Sequence, residues 1–365
     1  MITKKDSISY QPANRLEEKY FTKNSIFFDI ETTGFSAVRN DLYLIGCGYR
    51  DDKDFHIVQF FAENPKEQSA VLSEFFSLLS RFDTILSFNG LGFDIPFLKA
   101  KCSQLELSDP FPDFTYIDIF KSVSKYKKVL GLPNYKQKTL EAFLNISRDD
   151  EKSGGDLIPV YEDYKKSPSD AALSLLLLHN HDDVLGMLPL IQLMAYDEFF
   201  CGNYHITGAT PHAYTDVDGR PARELLIQGT AAHPFPSQLS VRKDDLFLRL
   251  ANNQFALSVP LYEGSLKYFY PDYKNYYYLP VEDVAIHKSV AVYVEKEYRT
   301  QAKASTCYTK KEGTFLPQYR ELFSPAFFQK YKEKTSYFSY DPDAFSCDGK
   351  AQNSYTAHLL SHFLA

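Results

Sequence analysis

Carboxylates are the residues in this chain whose spacing best suits chemistry, and the first pair interrupts an apolar run. Residues 26–30 read Ile-Phe-Phe-Asp-Ile, so Asp29 lies inside the run, and Glu31 follows it by two positions. Side chains alternate between the faces of a strand, so Asp29 and Glu31 would point the same way, about 7 Å apart. Two carboxylates on one buried face repel each other and lose hydration unless a cation lies between them. A divalent metal ion held by carboxylate oxygens is the simplest such cation.

Each of the first two carboxylate stretches also has a simpler interpretation. Asp29 and Glu31 alone fit an exposed edge strand equally well. Asp94 follows a tight loop that begins with Asn89-Gly90, and it comes two residues before Pro96. Proline is common in the first turn of a helix, so Asp94 taken alone is best explained as a helix N-cap. A metal site is favoured only if other stretches supply further ligands.

A third polar stretch lies on a well-marked helix. Ser167 is the predicted N-cap, Pro168 is the predicted first helical residue, and leucines lead into His179. Residues four apart share a helix face, so His179 and Asp183 would project together, whereas residues 180–182 would be turned away to varying degrees. The alternative is a polar patch on a surface helix. Apolar residues on both sides favour partial burial, and a half-buried histidine and carboxylate need a partner.

The order of the predicted elements indicates how these residues could meet. Three strands joined by short polar turns favour an antiparallel meander, and a helix, a strand and a second helix follow. The predicted bounds are 26–30, 42–49 and 55–61 for the strands, 65–80 for the helix, 84–88 for the fourth strand and 95–101 for the second helix. This order is that of an α/β, RNase H-like fold, a mixed β-sheet flanked by helices.

Composition limits the classes of protein. A chain of 365 residues suggests two domains, predicted here as 1–198 and 199–365. No window of about 18 apolar residues occurs, which predicts no membrane-spanning helix. Five scattered cysteines argue against a zinc or disulfide framework, and residues 1–24 lack a signal-peptide core, so a cytoplasmic location is expected. The net charge of −7 excludes a bulk basic surface, so binding of a polyanion would need local patches or metal ions.

The carboxylates become a stronger signal when they are taken together. Asp29, Glu31, Asp94 and Asp183 suit two hard divalent ions about 3.5–4 Å apart, the arrangement used in phosphodiester hydrolysis. At these residues the chain resembles the DEDD (DnaQ-like) 3′–5′ exonuclease superfamily, and within it the YprB-type RNase H-like domains. The matching segments are Asp29-Ile30-Glu31-Thr32-Thr33-Gly34, Asn89-x-x-x-Phe93-Asp94 and His179-Asn180-x-x-Asp183. The resemblance covers residues 25–195.

The resemblance implies a metal-dependent 3′–5′ exonuclease that hydrolyses DNA or RNA from its 3′ end with two Mg²⁺ or Mn²⁺ ions. Asp29 would bridge both ions, and the other three carboxylates would complete the ligand set. His179 would orient or deprotonate the attacking water, although relatives usually carry tyrosine at this spacing from the last aspartate. Thr32, Asn89 and Phe93 would contact the substrate. A catalytically weak nucleic-acid- or protein-binding module on the same fold is the alternative, and the presence of all four carboxylates argues against it.

A lysine run follows the second carboxylate stretch. Six lysines lie between Lys121 and Lys138, interleaved with Tyr126 and Tyr135 and with no acidic residue among them. Such a segment could contact a phosphate backbone and stack bases on its tyrosines. A solvated helix face is the other interpretation. The next glycines, at the start of residues 154–159, predict a loop.

The second half of the chain matches no family that its residues identify, and an α+β domain with an antiparallel β region is expected there. Residues 202–236 are predicted to be a linker or an irregular segment, with room for one short helix at 221–227. Residues 245–250 and 254–259 flank Asn252-Asn253 and predict a hairpin. Further strands are predicted at 265–270 and 276–279, and a helix at 280–300. Six tyrosines between Tyr268 and Tyr278 form either a stacking platform for single strands or, more simply, part of a core.

Overall fold

The computed structural model describes residues 1–147, 152, 154–215 and 218–365. These residues form two compact units. The first unit consists of residues 1–198 together with 235–237, and the second consists of residues 199–234 together with 238–365. Each unit has its own sheet or sheets and its own clusters of buried apolar residues.

A six-stranded mixed sheet forms the centre of the first unit. Its strands are β1 (Ile2–Ser9), β2 (Ser25–Thr32), β3 (Leu42–Arg50), β4 (Asp54–Phe61), β5 (Thr84–Ser87) and β6 (Thr115–Asp118). They are arranged in the order β1-β4-β3-β2-β5-β6. The pairs from β1 to β2 are antiparallel, whereas β2, β5 and β6 run parallel. β2 therefore lies inside the sheet, where the antiparallel half meets the parallel half.

Helices cover both faces of this sheet. They are α1 (Arg15–Tyr20), α2 (Gln68–Leu79), α3 (Asp94–Gln104), α4 (Ile119–Val123), α5 (Lys127–Leu130), α6 (Gln137–Phe143), α7 (Gly154–Lys166), α8 (Asp170–Leu190) and α9 (Met194–Phe200). Residues of α2 and α3 pack in one apolar cluster with β2, and residues of α7 and α8 pack in another with β3 and β4. Among the described residues, no helix combines the length and apolarity that crossing a membrane requires.

Alternation along β2 separates the apolar core from a polar face. Ile26, Phe28 and Ile30 are buried in the cluster that includes α2 and α3. Asp29 and Glu31 have the opposite parity, so their side chains point to the other face, where β2 contacts α8. The strand thus contributes three side chains to the core and two carboxylates to the space beside α8.

The predicted elements of the first unit agree with the structure within a few residues, with three exceptions. The structure adds β1, a strand that the sequence analysis did not predict. The predicted loop at 154–159 is wrong, because these residues begin α7, whose Leu157 and Tyr161 are buried against β3 and β4. The predicted N-cap Ser167 is also wrong. Ser169 caps α8, and its hydroxyl accepts the N–H of Ala172 at 3.3 Å.

The second unit is built mainly from antiparallel strands. These are β7 (Tyr204–Thr215), β8 (Pro221–Ala231), β9 (Leu239–Lys243), β10 (Leu246–Ala251), β11 (Gln254–Pro260), β12 (Tyr262–Phe269), β13 (Tyr276–Leu279), β14 (Val284–His287), β15 (Thr300–Gln301), β16 (Tyr308–Gln318) and β17 (Ser336–Ser339). The sheets have the orders β7-β8-β11-β10-β9, β12-β16-β17 and β14-β13-β15. Three helices follow β14 or β17: α10 (Lys288–Ala291), α11 (Pro342–Cys347) and α12 (Gly349–Leu364). The predicted α+β class with an antiparallel β region is confirmed, and β10 and β11 form the predicted hairpin.

Two predictions for the second unit are wrong. Residues 202–236 are not a linker with a helix, because β7 and β8 occupy most of this segment and pair along their length. Residues 221–227 belong to β8, in which Leu225 and Ile227 alternate into the core. Residues 280–300 contain β14 and the short α10 rather than one long helix. Val290 is 56% exposed, so the apolar residues of this segment do not form one buried helical face.

The tyrosines of the second unit favour the core interpretation over the stacking platform. Tyr270, Tyr276 and Tyr278 are partly buried against a cluster formed by Ala285, Ala302 and Cys307. The rings of Tyr270 and Tyr276 stack on each other at 4.6 Å between centroids. Rings that pack on each other and on a core have little face left for bases.

A buried histidine predicts how pH affects the second unit. His358 in α12 is 3% exposed, and its Nε2 accepts the backbone N–H of Tyr319 at 3.0 Å. Burial, together with Arg320 and His362, lowers the pKa of His358 to about 4 from 6.5. The unfolded chain therefore binds a proton between pH 6.5 and 4 that the folded unit does not. We expect the stability of the second unit to fall as the pH is lowered through this window, by at most about 1.4 kcal/mol per pH unit.

Calorimetric unfolding between pH 7 and 4.5 measures this dependence, with His358→Gln as the comparison. Glutamine keeps an acceptor oxygen for the Tyr319 N–H but does not titrate. The variant should lose less stability on acidification than the wild type. Equal losses in both proteins would show that another group controls the acid sensitivity.

Candidate metal-binding site

β2 fixes the first two carboxylates of the site. Asp29 pairs with Gly46 of β3 and Glu31 pairs with Leu44, on the antiparallel side of the strand. The register shifts between Glu31 and Thr32, so the strand becomes irregular directly after the second carboxylate. Glu31 is 7% exposed, which confines its carboxylate to the space between the sheet and the helices.

Asp94 reaches the same space from the start of α3. It is the first residue of the helix rather than its cap, and the cap position is taken by Phe93, which makes no side-chain capping bond. The Oδ1 atom of Asp94 instead accepts the backbone N–H of Ile30 at 3.2 Å. This bond ties the carboxylate to β2 between Asp29 and Glu31, so the N-cap interpretation of Asp94 does not describe its role in the fold.

α8 adds His179 and Asp183 from one face, as their spacing predicts. His179 Nε2 lies 3.3 Å from Asp183 Oδ2 and 3.6 Å from Glu31 Oε1. These three residues offer ligand atoms that all lie within 4.8 Å of one another. A Cβ atom on Gly154, at the start of α7, would lie 3.6 Å from Glu31 Oε2 and 3.8 Å from His179 Nε2. The start of α7 therefore borders the cluster, and the oxygen and nitrogen donors present fit a divalent metal ion.

Burial and repulsion disfavour the ionised carboxylates. Burial, followed by the charges of Asp183, Glu31 and Asp94, raises the pKa of Asp29 well above its usual value, while a hydrogen bond from Asn180 opposes the shift. Burial also raises the pKa of Asp94 to about 7, with the charges of Asp118 and Asp183 adding to it. A bound cation would reverse this situation, because it stabilises the ionised form of every carboxylate around it.

Asn180 belongs to the site, although the sequence predicted that it turns away. It is fully buried, and its Nδ2 donates to Asp29 Oδ2 at 3.1 Å. Its Oδ1 in turn accepts a hydrogen bond from Gln59 Nε2 at 3.0 Å, and the same Gln59 nitrogen donates to the Leu177 carbonyl at 2.8 Å. The N–H group of Gln59 needs an acceptor, so the oxygen of the Asn180 amide faces Gln59 and its nitrogen faces Asp29.

Asp118, at the end of β6, is a further buried carboxylate that the sequence analysis missed. Its two oxygens accept the backbone N–H groups of Asn89 at 3.0 Å, Leu91 at 3.2 Å and Lys121 at 3.0 Å. It therefore caps α4 and also holds the loop before Asp94. An aspartate at the junction of a strand and a helix was the available signal, and it indicates a cap as readily as a site.

Two of the three residues predicted to contact substrate line a cleft beside the carboxylates. Asn89 and Phe93 line a cleft of 1060 Å³ that also contains Asp29, Asp94 and Asp183. Thr32 is not among the residues that line it, and its hydroxyl donates to the Gly34 carbonyl at 2.9 Å.

An aromatic residue that the sequence analysis did not assign also lines this cleft. Phe35 is 92% exposed, and its ring meets that of Phe93 edge-on at 5.9 Å between centroids. Its position directly after the Asp29–Gly34 segment was the available signal. An exposed aromatic ring beside the carboxylates offers a surface on which a planar group can stack.

Part of the lysine run borders the same cleft. Lys127, Lys136 and Lys138 line it, together with Tyr135. The run is not one helix face, because α4, α5 and α6 are short and separate. Tyr126 is buried, and its hydroxyl donates to Asp197 at 2.6 Å, so it is not available to stack bases. Tyr135 is buried to 7% exposure, which leaves it little free ring surface.

Residues 26–195 match the family model described as the RNase_H superfamily. No curated protein sequence matches the chain. Among solved structures, one of exonuclease I, described in terms of processivity, is similar with a TM-score of 0.34 and 11% identity over 57% of this chain and 55% of that chain. The E. coli exonuclease I complex with a dT13 oligonucleotide has a TM-score of 0.30 and 12% identity, covering 56% of this chain and 54% of that chain.

The chain spans little more than half of the exonuclease I structures that it matches. Within the first unit, the family match covers β2 to α8 and therefore includes all four predicted carboxylates. The sheet order, the flanking helices and the family match together identify residues 26–195 as an RNase H-like fold.

Proposed function

We propose that this protein is a metal-dependent 3′–5′ exonuclease that hydrolyses the phosphodiester bonds of nucleic acid. The observation that carries the proposal is that Asp29, Asp94, His179 and Asp183 line one cleft of an RNase H-like domain, with Glu31 Oε1 3.6 Å from His179 Nε2. The 3′–5′ direction and the narrower YprB-type assignment rest on the resemblance of the three motifs. A cytoplasmic location stays a prediction from the cysteines and the N-terminal residues.

In this proposal the four carboxylates would hold two divalent ions, Mg²⁺ or Mn²⁺. The ions would supply Lewis-acid activation of water and stabilisation of the leaving oxygen. Asp29, which lies within the fields of the other three carboxylates, would help to hold the ions. Glu31, Asp94 and Asp183 would complete the set from β2, α3 and α8.

His179 would take the proton of the attacking water. Its Nε2 faces Glu31 and Asp183, so the proton acceptor lies at the edge of the ligand cluster. The new bond joins the water oxygen to phosphorus, and the bond from phosphorus to the 3′ oxygen breaks. The products are a 5′-mononucleotide and a strand that is one nucleotide shorter and ends in a 3′-hydroxyl. The imidazole would then pass a proton to the leaving 3′ oxygen, which becomes that hydroxyl.

The first prediction concerns hydrolysis by the wild type and by Asp29→Asn. With Mg²⁺ or Mn²⁺, 5′-labelled single-stranded DNA or RNA should shorten stepwise from its 3′ end. Asp29→Asn should reduce the rate by at least about 100-fold, because it removes the charge of a carboxylate that would hold the ions. Asp182→Asn is the matched control, since it makes the same change on α8 outside the cleft and should keep the rate. Denaturing gel electrophoresis resolves the ladder.

The outcome of that assay separates the two candidate functions. If neither strand is cleaved with either ion and calorimetric titration detects no ion binding, the nuclease proposal fails. The first unit would then act as a nucleic-acid- or protein-binding module on the same fold. Equal loss of rate in Asp29→Asn and Asp182→Asn would indicate damage to the fold rather than loss of a ligand.

The carboxylate cluster also predicts how pH affects the metal-free protein. The raised pKa of Asp94, about 7 against a usual 3.8, means that the folded unit binds a proton that the unfolded chain has released. Stability should therefore fall as pH rises from about 4 through 7, by at most about 1.4 kcal/mol per pH unit for each such carboxyl. The free energy of unfolding, measured between pH 6.5 and 8 in a chelator, tests this loss of stability at pH values above the range predicted for His358. Saturating Mn²⁺ should remove the loss, and Asp94→Asn should reduce it.

The Gln59–Asn180–Asp29 chain of hydrogen bonds predicts an effect on metal affinity. Groups that orient metal ligands typically change affinity by 10–100-fold when they are replaced. Asn180→Leu should weaken Mn²⁺ binding by about tenfold, and Gln59→Leu should weaken it less. The double variant should bind no more weakly than Asn180→Leu, because Gln59 acts through Asn180.

Isothermal titration with Mn²⁺ tests this chain without reference to catalysis. His181→Leu, on the same helix, is the control that should leave affinity unchanged. Strictly additive losses from Gln59→Leu and Asn180→Leu would contradict the chain and indicate two independent effects on folding.

A further inference from the structure

The lysine run divides into two groups in the structure. Lys127 and Lys136 line the cleft that holds Asp29, Asp94 and Asp183, whereas Lys121 does not. All three of these lysines are exposed. The chain therefore places cationic side chains around the same opening as its carboxylates, from a different part of the sequence. Only some lysines of the run lie at this opening, so the number of lysines in the run does not by itself explain their position.

The segment that carries Lys127 and Lys136 is held by its own contacts. Gly131 ends α5 with a left-handed backbone, at φ +62°, and turns the chain back. The Tyr135 hydroxyl donates to the Lys127 carbonyl at 3.3 Å, which closes the turn. The Oδ1 atom of Asn134 accepts the Lys136 N–H at 3.0 Å and the Thr139 hydroxyl at 2.6 Å. These bonds fix the backbone from which both lysines project.

The charges of the two lysines remain available on the side of the cleft. Between Ile119 and Leu140 the chain has no acidic residue. Within the described part of the chain, neither Lys127 nor Lys136 forms an ion pair with a carboxylate, although Lys125 of the same run pairs with Asp197 at 3.2 Å. Lys127 Nζ lies 5.6 Å from the ring centre of Tyr135, a contact that orients the side chain without neutralising it.

We propose that Lys127 and Lys136 bind backbone phosphates of the substrate strand, at nucleotides 5′ to the bond that is cleaved. This inference rests on the proposed function, because it takes the carboxylates to mark the position of the scissile phosphate. Lysine suits the role, since its ammonium group contacts phosphate oxygens as a point charge without reading the base. The ligand class is a single-stranded polyphosphate chain, DNA or RNA, long enough to extend from the carboxylates to the lysines.

Salt dependence of binding tests this assignment. The probes are a fluorescein-labelled 12-nucleotide single-stranded DNA and its RNA counterpart, with binding followed by fluorescence anisotropy in a chelator so that no hydrolysis occurs. Each lysine that contacts a phosphate should contribute about 0.7 to the slope of log affinity against log salt. Lys127→Ala and Lys136→Ala should each lower the slope by about that amount, and the double variant by about twice as much. Lys121→Ala is the matched control and should retain the wild-type slope.

Conservative variants and kinetics distinguish a phosphate contact from a structural role. Lys127→Arg and Lys136→Arg should restore most of the slope, because the charge is kept. In the hydrolysis assay, the two alanine variants should raise KM several-fold with a smaller change in kcat. Melting temperatures of all variants identify any that are misfolded, and the arginine variants keep the test valid if an alanine variant is.

The outcomes separate failure of this inference from failure of the proposed function. An unchanged slope in the double variant, or wild-type protein that binds neither probe at low salt, overturns the inference. If the wild type hydrolyses the probes and the double variant has the same KM, the nuclease proposal stands and the lysine–phosphate contact fails. If binding depends on the lysines but no hydrolysis occurs with Mg²⁺ or Mn²⁺, the phosphate contact stands and the nuclease proposal fails.

Discussion

Repulsion among buried carboxylates is the constraint on which the first unit depends. Asp29 lies on a central strand, within the fields of Glu31, Asp94 and Asp183, and burial adds to the cost of ionising it. An apolar side chain at position 29 would remove this cost, so the arrangement has a physical reason only if something cationic binds there. The surrounding elements hold the carboxylates together despite their repulsion. The Ile30 N–H binds Asp94, and α8 brings Asp183 within 3.3 Å of His179.

Close approach of α8 to the sheet allows this geometry. A Cβ atom on Gly46, which pairs with Asp29 across β2 and β3, would collide with the side-chain oxygen of Asn180. Glycine at this position lets Asn180 reach Asp29, and the amide stays buried with both ends bonded. The Gln59 amide also bonds the Leu177 carbonyl, so one side chain ties β4 both to the backbone of α8 and to the group that contacts the first carboxylate. The scaffold and the site therefore share the same hydrogen bonds.

Local spacing explains which parts of the site could be predicted from the sequence. Asp29 with Glu31, and His179 with Asp183, share faces through the period of one strand and one helix, so no knowledge of packing was needed. Asn180 was missed because its burial depends on β3 and β4, which lie more than 100 positions earlier in the chain. The fold order was predictable because the strands and helices of the first unit have clear periods. The structure of residues 154–159 and 280–300 was not predictable, since the conformation of glycines and scattered valines depends on packing partners elsewhere in the chain.

The overall charge of the chain is a poor guide to the charges that line the cleft, for a related reason. A net charge of −7 describes the whole surface, whereas charges separated by more than a Debye length of about 10 Å barely act on each other in salt. What a nucleic-acid strand would experience in the cleft is set locally, by the carboxylates on one part of the lining and by Lys127 and Lys136 on another. Ions bound by the carboxylates would make the acidic part attractive to a phosphate, and the lysines would add to that attraction further along the strand. An acidic protein with such a cleft would hold only a few nucleotides firmly, a short footprint that suits removal of terminal nucleotides better than tight binding of long chains.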